Sequence, residues 1–147
     1  MSGVKLEYQI DTKRIQAAFD RLGKIDTHSM FDEIGGHLDN AVLQRFNSGV
    51  GPDGIAWEPS ERALNEGGKT LVDYGHLRDS ITHNTYAHGV EHGSNMVYAA
   101  IHQFGGKTGR NKSVTMIARP FIGISADDEI AINEIVEDFL KEALYGN

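Results

Sequence analysis

The chain has 147 residues, of which 39% are hydrophobic, and its net charge is −7. That is enough chain for one domain with a real core, too apolar for disorder, and without any run near the roughly 20 apolar residues that span a bilayer. The lack of cysteine excludes disulfides and thiolate metal sites, and the net acidity argues against wholesale coating of DNA.

The order of elements begins with Val4, Leu6, Tyr8 and Ile10 alternating with Lys5, Glu7 and Gln9, a strand with one buried face. Nothing behind Met1-Ser2-Gly3-Val4-Lys5 looks like an apolar signal region, so a cytoplasmic protein is expected. Asp11 or Thr12 can cap a helix whose face is Ile15, Ala18, Phe19 and Leu22, stopped by Gly23. Asp26, Thr27 or Ser29 can cap a second helix, with a stripe of Phe31, Ile34, Leu38, Ala41, Val42 and Arg45, ending near Phe46. Gly35-Gly36 inside it costs roughly 2 kcal/mol relative to alanines, which predicts either a kink or a close backbone approach.

Gly49, Gly51, Pro52, Gly54 and Pro59 forbid a long regular element between Asn47 and Asn65. The lone tryptophan, Trp57, is expected to fold back over the core, with a partner-facing role as the alternative. Glu66-Gly67-Gly68-Lys69 reads as mobile. Leu77 and Ile81 fit one helical turn or a turn running into a strand, after the break at Gly75. Thr82 to Ala87 reads as a strand, His88-Gly89 as a turn, and Gly89 to Gly93 as the return. Met96 to Ile101 suits a short helix or strand, halted by Gly105-Gly106. Thr115 to Ile117 and Phe121 to Ile124 read as strand segments on either side of Pro120.

Ser125 followed by Asp128 is a capping-box variant that opens the last helix, with Asp127, Asp128 and Glu129 at its positive end. Ile132, Ile135, Val136, Phe139, Leu140 and Ala143 form its apolar stripe, and Gly146 lies past its end. No internal repeat and no linker divides the chain. The expected fold is α+β, a single domain over 1–147, with helices at both ends packed on a central, mainly antiparallel sheet.

Charge is uneven. Asp127 to Glu142 holds seven acids and one lysine, whereas His102 to Arg119 holds four basic residues and no acid. Such faces could pair between copies, or simply be solvated.

Catalytic chemistry finds little support. His83, His88, His92 and His102 fall in the sheet region, but no metalloprotease motif or thiolate accompanies them. Ser80 and Ser94 lack a nucleophile-elbow context. Gly106-Lys107-Thr108 would need a glycine at Ile101 to close a phosphate loop. Paired carboxylates occur only on the acidic helix. Lys107, Arg110 and Lys112 could touch phosphates, but no aromatic residue among them offers a stacking platform. No catalytic set and no cofactor motif is expected, and neither metal nor cofactor is implied.

Four pieces occur in a recognisable order: Trp57-Glu58-Pro59-Ser60, Leu71 to Ile81, Tyr98-Ala99-Ala100-Ile101-His102-Gln103-Phe104-Gly105-Gly106, and Ala118-Arg119-Pro120-Phe121-Ile122-Gly123-Ile124-Ser125, before a closing acidic helix. In this the chain resembles the phage virion morphogenesis family, the tail-completion or tail-terminator proteins of contractile-tailed phages and Mu-like prophages, from about Phe46 to the C-terminus. It departs at Tyr74, where the family usually has threonine, and at Ser60, where it usually has leucine. The resemblance implies a structural protein and not an enzyme, one that completes or caps the tail tube and supports head–tail joining. It implies self-association, commonly as a hexameric ring, with the tail tube protein and head–tail connector proteins as partners. No membrane and no sequence-specific nucleic acid is implied. The place would be the host bacterial cytoplasm during assembly, then the tail or neck of the virion. A head-side neck protein and a DNA-contacting regulator are the alternatives. The expected interaction residues are Lys107, Arg110 and Lys112 in a basic loop and the corner Arg119, Pro120 and Phe121. His102 and Gln103 are expected to hold satisfied hydrogen bonds near an interface. Arg119 is expected to pair bidentately with a carboxylate.

Overall fold

The computed structural model describes residues 3–9, 13–22 and 26–145. In order these form β1 (Val4–Tyr8), α1 (Lys13–Leu22), α2 (Thr27–Ser48), α3 (Glu61–Glu66), α4 (His76–Asp79), β2 (Thr82–Tyr86), β3 (Gly89–Ser94), α5 (Ala99–Phe104), β4 (Gly106–Thr108), β5 (Val114–Met116) and α6 (Ala126–Tyr145). The fold is α+β. The expected caps Asp11 and Thr12, the end of the first strand at Ile10, the stops at Gly23 and Gly146, and the side chains of Tyr8, Ala18, Phe19 and Leu22 lie outside the described residues.

The main sheet is antiparallel, with strand order β1-β3-β2. Val4 pairs with Ser94 and Tyr8 with Val90, while Thr82 pairs with Gly93 and Tyr86 with Gly89. α2 is the spine on which this sheet rests. Asp26 caps it by accepting the Ser29 backbone N–H at 3.0 Å, and Gly49, at φ +71°, closes it by donating to Arg45 O. The helix runs unbroken through Gly35-Gly36, so the close-approach reading holds. A methyl group on Gly35 would come within 2.4 Å of the His83 ring, whereas one on Gly36 would meet nothing within 4 Å.

These neighbours should therefore respond oppositely to alanine. Gly35→Ala is expected to cost about 1–3 kcal/mol through overpacking against β2 and β3. Gly36→Ala should gain up to about 1 kcal/mol from helix propensity. Urea midpoints at unchanged slope would check both, and equal shifts would contradict the packing.

Two apolar clusters flank α2. Its N-terminal half contributes Met30, Phe31, Ile34 and Leu38, which pack with Val90 and Ile132. Its C-terminal half contributes Val42 and Phe46, which pack with Trp57, Leu77, Ala99 and Phe121. α6 opens with the expected capping box: Asp128 N donates to Ser125 Oγ at 3.0 Å and Ser125 N to Asp128 Oδ2 at 2.9 Å. It packs chiefly on α2, and its Ile132 joins the cluster that holds Val90 of the sheet.

Three other expectations are corrected. Phe121 to Ile124 is not a strand, because its backbone groups are taken by side chains instead of a ladder. The Lys107–Thr115 segment is not an open loop. It holds β4 and β5, paired as a separate antiparallel hairpin from Gly106–Met116 to Thr108–Val114. Its tip needs left-handed backbone at Gly109, Asn111 and Lys112. The Glu66–Lys69 segment, read as mobile, is tied down: Gly67 N donates to Ala63 O, Arg62 Nη2 donates to Lys69 O at 2.8 Å, and Lys69 bridges to Val72.

Candidate interaction surface

Three remote segments converge where α5 meets the Arg119–Gly123 corner. Ala99 is buried, which fixes α5 against the core and turns Gln103 toward the corner. The Gln103 amide then acts as a clamp. Its Oε1 accepts from Phe121 N and Ile122 N, each at 3.0 Å, and its Nε2 donates to Ile122 O at 2.8 Å. Trp57 Nε1 donates to Pro120 O at 2.7 Å, and the Trp57 ring meets Phe46 edge-on. The tryptophan is thus the core anchor. Phe46 and Phe121 lie 5.5 Å apart between ring centroids.

Arg119 completes the knot. Its backbone N donates to His102 O at 2.8 Å, its Nε to Glu58 O at 2.6 Å, and its Nη2 to Pro59 O at 3.4 Å. The expected carboxylate partner is absent among the described residues. The guanidinium instead satisfies carbonyls of a glycine-proline loop that no ladder reaches. Arg119 is 7% exposed and Phe121 0%, so Phe121 belongs to the core and most of the Arg119 side chain holds the fold from within.

A second buried ion site escapes sequence reading. Arg45 donates to Phe121 O at 2.8 Å and Gly123 O at 3.1 Å through Nη1, and to Asp128 through Nη2. His37 Nε2 meets the other Asp128 oxygen at 2.9 Å. Burial opposes ionisation of Asp128, but the Ser125 N–H, His37 and Arg45 outweigh it and hold the carboxyl below its usual range. The available signal was Arg45 itself, a cation inside an apolar stripe.

The basic hairpin is the exposed part of this region. Lys107, Arg110 and Lys112 are all exposed and carry no ion pair among the described residues. Beside the hairpin a groove of about 390 Å³ opens between the 71–77 segment, α5 and β5. Leu71, Tyr74, Leu77, Tyr98 and Met116 line it, with Arg119 in its wall. His102 also borders it. Its Nδ1 is buried without a hydrogen-bond partner among the described residues, and burial together with the nearby Arg119 charge lowers its pKa. Gln103 therefore has the satisfied bonds expected of it, while His102 does not.

The histidines do not converge on a metal. His83 and His92 face each other across β2 and β3 and share Asp39, at 2.6 and 3.0 Å, and His83 also reaches Asp32 at 3.0 Å. His88 meets Gln16 instead. Among the described residues no three His, Asp or Glu side chains are grouped to hold a metal ion. Ser80 and Ser94 share a 2.6 Å hydrogen bond with each other, with Leu77 O and Met96 N as their further partners.

The His83 network has a pH consequence. Burial lowers the His83 pKa, but hydrogen bonds to Asp39 and Asp32 overcome that and raise it. A raised folded pKa gives stability that is complete below the ordinary histidine value, about 6.5, and lost as pH rises through the folded value. His83→Gln should therefore destabilise more near pH 5.5 than near pH 8, as read by urea midpoints. An equal effect at both pH values would contradict a charged His83.

The phage virion morphogenesis family model matches residues 10–141. The chain is 35% identical over 139 residues to "Mu-like prophage FluMu G protein 2" of Haemophilus influenzae, covering 92% of this chain and 96% of that protein. It is 29% identical over 146 residues to "Putative capsid assembly protein G" of Escherichia phage Mu, covering 92% and 94%. No solved structure matches the chain.

Proposed function

Because the chain belongs to the phage virion morphogenesis family, we propose that it is a structural subunit that completes or caps the tail tube and supports head–tail joining. The family match over residues 10–141 carries this reading. Its partners are further copies of itself, as a hexameric ring, together with the tail tube protein and head–tail connector proteins. It works in the host cytoplasm during assembly and stays in the virion. No helix among the described residues is long and apolar enough to cross a membrane. The chemistry is that of a docking subunit and not of an enzyme: the Gln103 amide and most of the Arg119 fork are spent on backbone carbonyls and amides. The exposed cations sit apart on a hairpin that is free to meet a neighbour.

The name of the phage Mu relative favours a second reading, a head-side neck protein. Gold-labelled antibody against this chain, applied to separated heads and tails, distinguishes the two. Label at one end of isolated tails supports tail completion. Label confined to one vertex of heads supports the neck reading, and particles without label contradict both.

A further inference from the structure

The groove beside the hairpin carries an unbalanced charge. Arg119 is 7% exposed, and no carboxylate among the described residues pairs with it. Its Nη1 makes no hydrogen bond there, yet is not sealed off, since it is not among the buried atoms left without a partner. Arg62, on the same wall, is only 3.9 Å from Asp73, at the edge of ion-pair range. A largely desolvated guanidinium with a spare donor is stabilised by an arriving carboxylate. Leu71, Leu77 and Met116 give the groove an apolar floor beside the polar Ser60, Asp73, His76 and His102, and Tyr74 at its lip is 81% exposed. An exposed aromatic beside a buried arginine has the composition of an interface hot spot.

The complementary surface is on the same chain. Ile130 on α6 is 58% exposed, although it is large and apolar. Asp127, three residues before it, and Glu134, four after it, share its helix face and are also exposed. Neither acid has a basic partner among the described residues. This face thus offers an apolar knob between two carboxylates, which suits a groove that sets Leu71, Leu77 and Met116 beside two arginines, Arg62 and Arg119. One molecule does not satisfy itself. The groove borders the cluster around Phe46 and Leu77, and α6 packs through Ile132 into the other cluster, around Ile34.

We propose that the groove under Tyr74 receives the Ile130 face of α6 from a second copy, with Asp127 or Glu134 of that copy pairing with Arg119. The contact is heterologous, so each copy presents one groove and one helix face and the chain of contacts closes into a ring or runs open. The inference rests on the self-association in the proposed function and names the surfaces that carry it.

Tyr74→Asp and Ile130→Asp test it, because both side chains are exposed and circular dichroism can confirm that each variant is folded. Sedimentation equilibrium of the wild-type chain should show concentration-dependent association. Each variant alone should associate at least about thirtyfold more weakly, as loss of a hot spot does. Mixed together, the two variants should form a dimer that grows no further, because one intact groove meets one intact helix face. Wild-type association with folded variants that still associate normally, or with a mixture that stays monomeric, overturns the contact alone. A wild-type chain that stays monomeric at the highest concentration overturns self-association of the free chain and the contact with it. The antibody result at the tail end would stand independently of either outcome.

Discussion

Arg45→Ala is expected to lower the free energy of unfolding by about 3–5 kcal/mol, the range for removing one partner of a buried ion pair. Arg45 and Asp128 side chains are 8% and 4% exposed, so water cannot replace what is removed. The loss would strand the Asp128 carboxylate and also leave Phe121 O and Gly123 O without their donor. Against a typical total of about 5–15 kcal/mol, that is a large fraction of the stability. The measurement is urea unfolding of the wild type, Arg45→Ala, Asp128→Ala and the double variant. The double variant should lose less than the sum of the singles, since the second removal no longer exposes a new unpaired charge. Strict additivity, or a loss below about 1 kcal/mol, would contradict the buried pair.

Phe121→Ala is expected to cost a further about 3–5 kcal/mol, as for other fully buried aromatics cut to alanine. Its ring is 0% exposed and packs on Phe46, and its backbone is held by Gln103 and Arg45. The effect also separates two views of the corner. A docking residue would leave the unfolding midpoint unchanged and weaken assembly. A core residue lowers the midpoint, which is the result expected here. Alanine at Lys107, Arg110 or Lys112 should do the opposite, shifting stability by no more than about 0.5 kcal/mol each.

What the sequence made legible was local. Ser125 and Asp128 are three residues apart, and the capping box they form is as expected. The stripe of α2, the Thr82 to Ser94 hairpin and the Trp57 anchor were readable for the same reason, because periodicity, turn residues and a lone tryptophan in a glycine-proline loop leave few alternatives. Contacts across long stretches of chain were not readable. Nothing near Asp128 indicates that Arg45, 83 positions away, would claim it. Phe121 to Ile124 has strand-like residues, but the Gln103 and Arg45 side chains occupy the backbone groups that a neighbouring strand would need. The strand read at Thr115 to Ile117 is β5, one residue earlier, but the short β4 gave no alternation to detect. Arg119 was rightly singled out as a fixed fork, but its partners are carbonyls of the Glu58-Pro59 loop, 60 to 61 positions away. Of the expected interaction residues, the hairpin cations alone are fully at the surface. The corner they were grouped with holds the fold beneath the groove.

The functional account stands on one claim, that this subunit is needed for heads and tails to join. Electron microscopy of particles made by a phage lacking this chain tests it most directly. The expected result is filled heads and separate tails in the lysate, with joined virions restored when the wild-type chain is supplied in trans. Joined, infectious virions at the normal frequency without the chain would contradict it.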